Sequence, residues 1–180
     1  MKFGQKTNPI VYGAVIAALV AIAIFLPDIV GFGWHLIHGK AASYRGLEVP
    51  VPQGWFAARH GEGLTIERML HIPLLREIPT VVFLPMHLGK GATFNRDLWS
   101  NVQIEIQNRR GYLLSGTRQI SALGTEAYCW EFAKEGDATR RWITCLVPKE
   151  DLSADFSGPQ SFAPTFYSIL PGIRRDAGGN

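Results

Sequence analysis

The two cysteines of this chain, Cys129 and Cys145, have the spacing that carries the most chemical information. Each lies in an alternating run of residues that predicts a β-strand, and residues 135–138 (EGDA) between the runs predict a hairpin turn. With the hairpin centred on Asp137, the cysteines lie opposite each other on one face. Directly opposed Cβ atoms are about 4.5–5.5 Å apart, which is near the reach of a disulfide.

Two states of this cysteine pair are open from the sequence. We expect a disulfide, which an oxidising compartment would maintain. The alternative is two buried free thiols that pack as small hydrophobic side chains, and a register shift of one residue would separate the sulfurs. The sequence contains no Cys-x-x-Cys motif, so we expect no redox-active role.

Two histidines, His35 and His38, are three residues apart and would share one face of a helix. Such a pair could belong to a metal or pigment-ligand site, but the neighbouring sequence offers no third ligand. We favour the interpretation that they are polar residues at a membrane interface, beside Trp34, whose ring suits the headgroup layer. We therefore expect no metal site and no cofactor.

Standard enzyme motifs are missing from the sequence. Ser115 is not part of a G-x-S-x-G nucleophile elbow, and residues 89–91 (GKG) lack the spacing of a phosphate-binding loop. The carboxylates are scattered, as in Glu48, Glu67, Glu105 and Glu131. We expect no catalytic residues and no enzymatic activity, although a site built from distant residues stays open.

The charge is mildly basic, at +3 with a pI near 9.0. The arginine doublets at 109–110, 140–141 and 174–175 are interpreted as solvated surface charge, with a patch for an anionic partner as the alternative. Basic and aromatic residues do not interleave as they do in nucleic-acid sites, so we expect no nucleic-acid partner.

An uncharged apolar stretch runs from Ile10 to Leu26. As a helix it would be about 25 Å long, close to the ~30 Å of a hydrocarbon core, and it predicts a retained single-pass anchor. Lys2 and Lys6 precede it and Asp28 follows it, which predicts a cytoplasmic N-terminus and an extracytoplasmic domain on the inner (cytoplasmic) membrane. A cleaved signal peptide is the alternative, but its apolar region would be shorter and followed by a small-x-small cleavage site.

Four regions follow from this pattern: a stub and anchor at 1–30, a glycine-containing linker at 31–43, a domain at 44–175 and a tail at 176–180. Within the domain we predict helices at 94–110, capped by Thr93 or Asn95, and at 162–170. Strands are predicted at 44–51, 64–69, 80–84, 118–122, 126–134 and 140–147. Runs of strands separate from the helices predict an α+β fold, an antiparallel sheet flanked by helices.

Residues 69–88 form an unusually apolar connection whose three prolines prevent a single helix. An apolar loop is often a contact site, so we predict membrane or partner contacts there and at Trp34. The loop residues concerned are Ile72, Leu74, Leu75 and Ile78. The alternative is that this segment folds back over the sheet as core.

Several short motifs occur in a familiar order: VPQGW at 51–55, LGTEA at 123–127, FSG at 156–158 and FYSIL at 166–170, before Ile173. In this order the chain resembles the PsbP/Mog-type α/β/α sandwich family. The resemblance spans residues 44–175 and implies a central antiparallel sheet with helices on both faces. Members are mostly non-enzymatic binding or assembly factors, and one branch serves photosynthetic complexes. The anchor and the apolar segment depart from the family and favour membrane partners.

The leading hypothesis is a non-catalytic accessory or scaffold subunit of an integral-membrane complex, with the bilayer and membrane subunits as partners. The resemblance implies a photosynthetic or electron-transfer host. The alternative is a periplasmic small-ligand or lipid-binding module with a pocket between sheet and helix. A hydrolytic enzyme is a third hypothesis, and it requires polar residues that converge in a cleft.

Overall fold

A computed structural model describes residues 9–68, 78–88 and 93–176. The helices are α1 (Pro9–His38), α2 (Arg96–Arg109) and α3 (Ala163–Gly172). A three-stranded sheet contains β1 (Ala41–Tyr44), β2 (Leu47–Pro50) and β10 (Arg174–Arg175). The strands of the larger sheet are β3 (Phe56–His60), β4 (Gly63–Glu67), β5 (Thr80–Pro85), β6 (Tyr112–Ala122), β7 (Thr125–Lys134), β8 (Asp137–Val147) and β9 (Leu152–Pro159).

The larger sheet has the strand order β3-β4-β5-β9-β8-β7-β6, and its neighbouring strands pair antiparallel. The strand of this sheet that comes last in sequence, β9, inserts between β5 and β8 and joins two hairpin regions into one sheet. The prediction of an α+β fold with antiparallel sheets and helices is confirmed.

Two apolar layers cover opposite faces of the larger sheet. On one face, α3 and the small sheet bury a core that includes Val49, Trp55, Phe83, Phe156 and Phe166. On the other face, α2 contributes to a smaller cluster whose fully or nearly buried members are Tyr112, Trp130, Phe132 and Leu146. The alternation of β7 and β8 between these layers matches the period of two that their sequences predict.

Helix α2 forms where the sequence pattern predicts it. The side chain of Asn95 accepts a hydrogen bond from Leu98 N at 3.0 Å, which satisfies an otherwise unpaired amide of the first turn. Asp97 lies in that turn, where a negative charge is favoured. Gly111, with φ of 73°, directly follows the helix and admits the left-handed turn into β6. The helix and its Asn95 cap are confirmed.

Other boundaries differ from the predictions. The strand predicted at 44–51 is two strands, because Arg45 and Gly46 have φ of 51° and 74° and reverse the chain between β1 and β2. Strand β6 begins at Tyr112, six residues before the predicted start, and β3, β9 and β10 were not predicted. Residues 31–38 of the predicted linker belong to α1, and β1 follows them.

Helix α1 is bent. Among the described residues, no helix by itself is both long and apolar enough to cross a bilayer, but Ile10–Leu26 and Asp28–His38, at 55° to each other, together meet that length and composition. The bend falls at position 27, a proline by sequence, which lacks the N–H needed for the helical hydrogen bond. The apolar side chains of the first half are exposed, as at Ile16, Leu19 and Phe25.

Candidate functional site

The second half of α1 docks on the domain through a close backbone contact. A Cβ at Gly31 would lie 2.6 Å from both the carbonyl carbon and the Cα of Gly54, so only glycine fits there. Gly54 has φ of 78°, which is the left-handed conformation that glycine adopts without strain. One turn further, Trp34 Nε1 donates a hydrogen bond to Ala57 O at 3.0 Å. These contacts hold α1 against β3 and the turn before it.

Polar side chains extend the same junction. His35 Nδ1 lies 2.7 Å from Gly39 O, and its Nε2 lies 3.0 Å from Pro52 O. A neutral imidazole has one N–H and donates only one of these bonds, whereas the protonated ring donates both. His38 stacks on the Trp34 ring with centroids 4.9 Å apart. Both histidines therefore have contacts within the junction.

A cleft of about 1420 Å³ lies between this half of α1 and the domain. Its helical wall is a stripe of apolar side chains spaced four, three and four residues apart, each more than half exposed: Phe25, Ile29, Phe32 and Leu36. Its domain wall includes Pro50, Val51, Gln53 and Gly54. The helical spacing puts the stripe on one face, so the cleft has one strongly apolar side.

Cations lie at the polar margin of the cleft. Lys40 and Arg68 line it together with a single carboxylate, Asp28. The Arg68 Nη2 and Asp28 Oδ1 atoms are 3.9 Å apart, with Asp28 exposed and Arg68 half-buried, so this long pair contributes little stability. The Arg68 guanidinium also lies 5.5 Å from the centre of the Phe162 ring, which positions it at the mouth. The margin carries a net positive charge beside an apolar wall.

The predicted disulfide is present. Cys129 and Cys145 are joined with an S–S distance of 2.05 Å, and the two residues are directly opposed in the β7–β8 ladder. Both are buried in the core on the α3 face. The prediction of a disulfide is confirmed, and the free-thiol alternative does not hold in this structure.

Most of the other predicted contact residues cannot be placed. Ile72, Leu74 and Leu75 lie outside the described residues, as does the part from 69 to 77 of the apolar segment predicted to be either contact or core. Ile78 lies just before β5 with 44% of its surface exposed. Trp34 is partly buried between α1 and the domain, where its indole bonds to Ala57.

A network of polar side chains is inside the domain on the α2 face. The Trp142 indole donates to Thr144 Oγ1 at 3.0 Å, and Thr144 Oγ1 donates to Asp155 Oδ1 at 2.6 Å. Ser153 donates to the other carboxylate oxygen at 3.3 Å. Burial raises the pKa of Asp155, while these hydrogen bonds and the nearby Arg110 act in the opposite direction. The carboxylate thus links β8 to β9 through a satisfied network.

A second network ties α3 to the sheet. The Tyr167 hydroxyl donates to Glu131 Oε1 at 2.7 Å, and Arg118 Nη2 lies 3.1 Å from the same oxygen. The Arg118 guanidinium is 4.2 Å from the centre of the Tyr167 ring. Burial, followed by Glu131, raises the pKa of Tyr167, so the phenol stays protonated as a donor. The charges of Arg118 and Glu131 therefore pair with each other, and the three side chains hold α3 against the sheet.

Within the described residues, no group of three or more His, Cys, Asp or Glu side chains could hold a metal ion. No sequence motif predicts the cleft, because its residues come from separate segments: α1, the β2–β3 turn and the end of β4. The apolar stripe from Phe25 to Leu36 was the available signal, since its four-three-four spacing is visible in the sequence.

Comparison with known proteins adds no assignment. No protein-family model matches this chain, and a search of curated proteins finds no significant match.

Proposed function

We propose that this protein is a membrane-anchored, non-catalytic accessory subunit of an integral-membrane complex. The anchor lies within residues 1–30 and consists mainly of the apolar first half of α1, and the α+β domain lies on the extracytoplasmic side. In this proposal the domain is a PsbP/Mog-like α/β/α sandwich, and a photosynthetic or electron-transfer complex is the host class. The exposed apolar surface of residues 10–26 carries the proposal.

The anchor hypothesis follows from the cost of that surface in water. Large side chains such as Val11, Ile16, Leu19 and Phe25 are each more than half exposed. Apolar surface gains about 25 cal/mol for each Å² removed from water, so this half-helix favours a hydrocarbon environment. Because Ile10–Leu26 meets the length and composition of a span only together with Asp28–His38, the apolar start of the second half completes the anchor, and the docking contacts with the domain begin at Gly31.

The proposed orientation is supported by charge and by the disulfide. Lys2 and Lys6 precede the apolar stretch, as expected for a cytoplasmic flank. The Cys129–Cys145 bond suits an oxidising, extracytoplasmic compartment, since disulfides are rare in the reducing cytosol. The polar networks around Asp155 and Glu131 are satisfied internally, which supports a structural role for the domain's polar residues.

The anchor is tested by adding charge to the apolar stretch. A central arginine costs about 2.5–3.5 kcal/mol on insertion, so Ile16→Arg with Val20→Arg should shift the full chain out of alkaline-washed membranes. The matched control is Leu113→Arg with Leu114→Arg, at exposed positions of β6, which should remain membrane-bound. A wild-type chain that washes off, or a soluble mature chain that begins after residue 26, contradicts the anchor.

The compartment and the complex are tested separately. Rapid alkylation in intact cells should find Cys129 and Cys145 oxidised, and a reduced pair contradicts the extracytoplasmic location. A tagged chain in mild detergent should co-purify with integral-membrane subunits in fixed stoichiometry, and the Ile16→Arg with Val20→Arg variant should lose them. A wild-type chain that migrates alone contradicts the accessory role.

A further inference from the structure

We propose that the cleft between α1 and the domain binds an anionic phospholipid of the surrounding leaflet. The phosphate would lie at Lys40 and Arg68, and an acyl chain would follow the apolar stripe of α1. This inference rests on the proposed membrane anchor and deepens it by naming a specific lipid site.

The apolar wall has the form that an acyl chain requires. Phe25, Ile29, Phe32 and Leu36 lie along one face of α1 and lead from the end of the apolar stretch, across the bend, to the cleft. The stripe is therefore continuous with the surface proposed to lie in lipid. A lipid of the same leaflet reaches the cleft without crossing water, whereas a water-soluble ligand would not have this access.

The polar margin selects the headgroup. Lys40 and Arg68 outnumber the single carboxylate, Asp28, among the lining residues. The 3.9 Å separation of Arg68 and Asp28 is too long for a hydrogen bond, so the guanidinium donors remain suited to a second anion. Guanidinium groups bind phosphate oxygens in pairs. The Gln53 side chain, which also lines the cleft, supplies an uncharged donor for a glycerol hydroxyl.

The size of the cleft also favours a lipid. Pockets for small molecules are about 300–1000 Å³, and this cleft is larger, at about 1420 Å³. A long, flexible ligand can occupy such a space only in part and extend beyond it. A helix of a partner subunit would use the apolar wall but would pair with the two cations only if it carried acidic side chains at their level.

The experiment uses the full chain in nanodiscs that contain phosphatidylglycerol and phosphatidylcholine. Native mass spectrometry should show retained phosphatidylglycerol on the wild type. Lys40→Gln with Arg68→Gln should weaken its retention about 30-fold, since each cation near a membrane surface is worth about a factor of five in lipid binding. Arg109→Gln with Arg174→Gln removes the same charge at exposed positions that do not line the cleft and should retain the lipid.

A photo-reactive phenylalanine at Phe32 identifies the occupant directly. A lipid adduct is expected there, and a protein adduct in its place would overturn the inference in favour of a partner helix. Equal retention of the two lipids, or unchanged retention in the Lys40→Gln with Arg68→Gln variant, would also overturn it. Unchanged thermal unfolding of that variant excludes misfolding. A chain that stays membrane-bound without a lipid preference refutes the cleft alone, whereas a chain that washes off refutes the anchor.

Discussion

The contact between Gly31 and Gly54 makes a sharp prediction about how α1 is attached. A methyl group at Gly31 would lie 2.6 Å from two backbone carbons of Gly54, whereas carbon atoms pack at about 3.5–4.0 Å. Backbone atoms cannot rotate away as a side chain can. In Gly31→Ala the helix must therefore retreat by about 1 Å, which would stretch the 3.0 Å bond from Trp34 to Ala57 beyond hydrogen-bonding range.

Two opposing effects set the magnitude. Overpacking costs about 1–3 kcal/mol, while replacing a helical glycine with alanine gains about 1 kcal/mol in helix propensity. The variant Gly33→Ala distinguishes the packing cost from the propensity gain. No described atom lies within 4 Å of a Cβ at Gly33, so only the propensity gain applies there. The difference between the two variants is then the packing cost, about 1–3 kcal/mol.

Hydrogen exchange of the Trp34 indole N–H measures that difference, since this N–H is protected only while α1 is docked. The resonance is assigned from Trp34→Phe in detergent-solubilised full chain. The indole should exchange about 5- to 150-fold faster in Gly31→Ala than in Gly33→Ala. Equal exchange rates in the two variants would refute the docked arrangement and, with it, the cleft.

Two further predictions concern the domain. Cys129→Ala with Cys145→Ala removes a cross-link between positions 16 residues apart and should lower stability by about 3 kcal/mol and Tm by about 10 °C; denaturant unfolding that matches the oxidised wild type would contradict this. Burial raises the pKa of Asp155, so the Asp155 carboxyl group binds a proton more tightly in the folded state than in the unfolded chain. This proton binding therefore stabilises the fold fully below pH ~4. The stabilisation declines as pH rises through the raised pKa. In Asp155→Asn, the free energy of unfolding measured with urea should no longer decline for this reason between pH 4 and 8. If the free energy of unfolding changes with pH in the same way in the variant and the wild type, the prediction is contradicted.

Local patterns were enough for several elements of the fold. Helix α2 was predictable because the helical spacing of its apolar residues and the Asn95 cap are both contained in one short segment, although Leu98 and Ile106 are exposed in the structure. In β7 and β8, the alternation of side chains along the sequence was likewise enough to predict which residues share each face of the strand. Strand β9 was not predicted although its burial alternates strictly, because its sequence, LSADFSGP, mixes small and polar residues that resemble a loop. Its place between β5 and β8 depends on pairings distant in sequence.

The cysteine pair shows how tertiary packing corrects a local rule. The turn lies at residues 135–136, with Lys134 opposite Asp137, and an uninterrupted ladder from it would place Cys129 opposite Trp142. An irregularity at residues 138–140 shifts the register, so that Ala133 pairs with Arg141 and Cys129 with Cys145. The shift keeps Ile143, Cys145 and Val147 in the core, and burial of one face is what specifies register.

The sequence by itself determined the apolar character of residues 10–26, the helix α2 with its Asn95 cap and the alternating strands around the cysteines. These follow from side-chain period and composition within single segments. Only the tertiary structure decided that Gly31 meets Gly54 and that Lys40 and Arg68 line the same cleft as the apolar stripe of α1. Those contacts join residues far apart in the chain, and their energies depend on close approach in space, which no local pattern encodes.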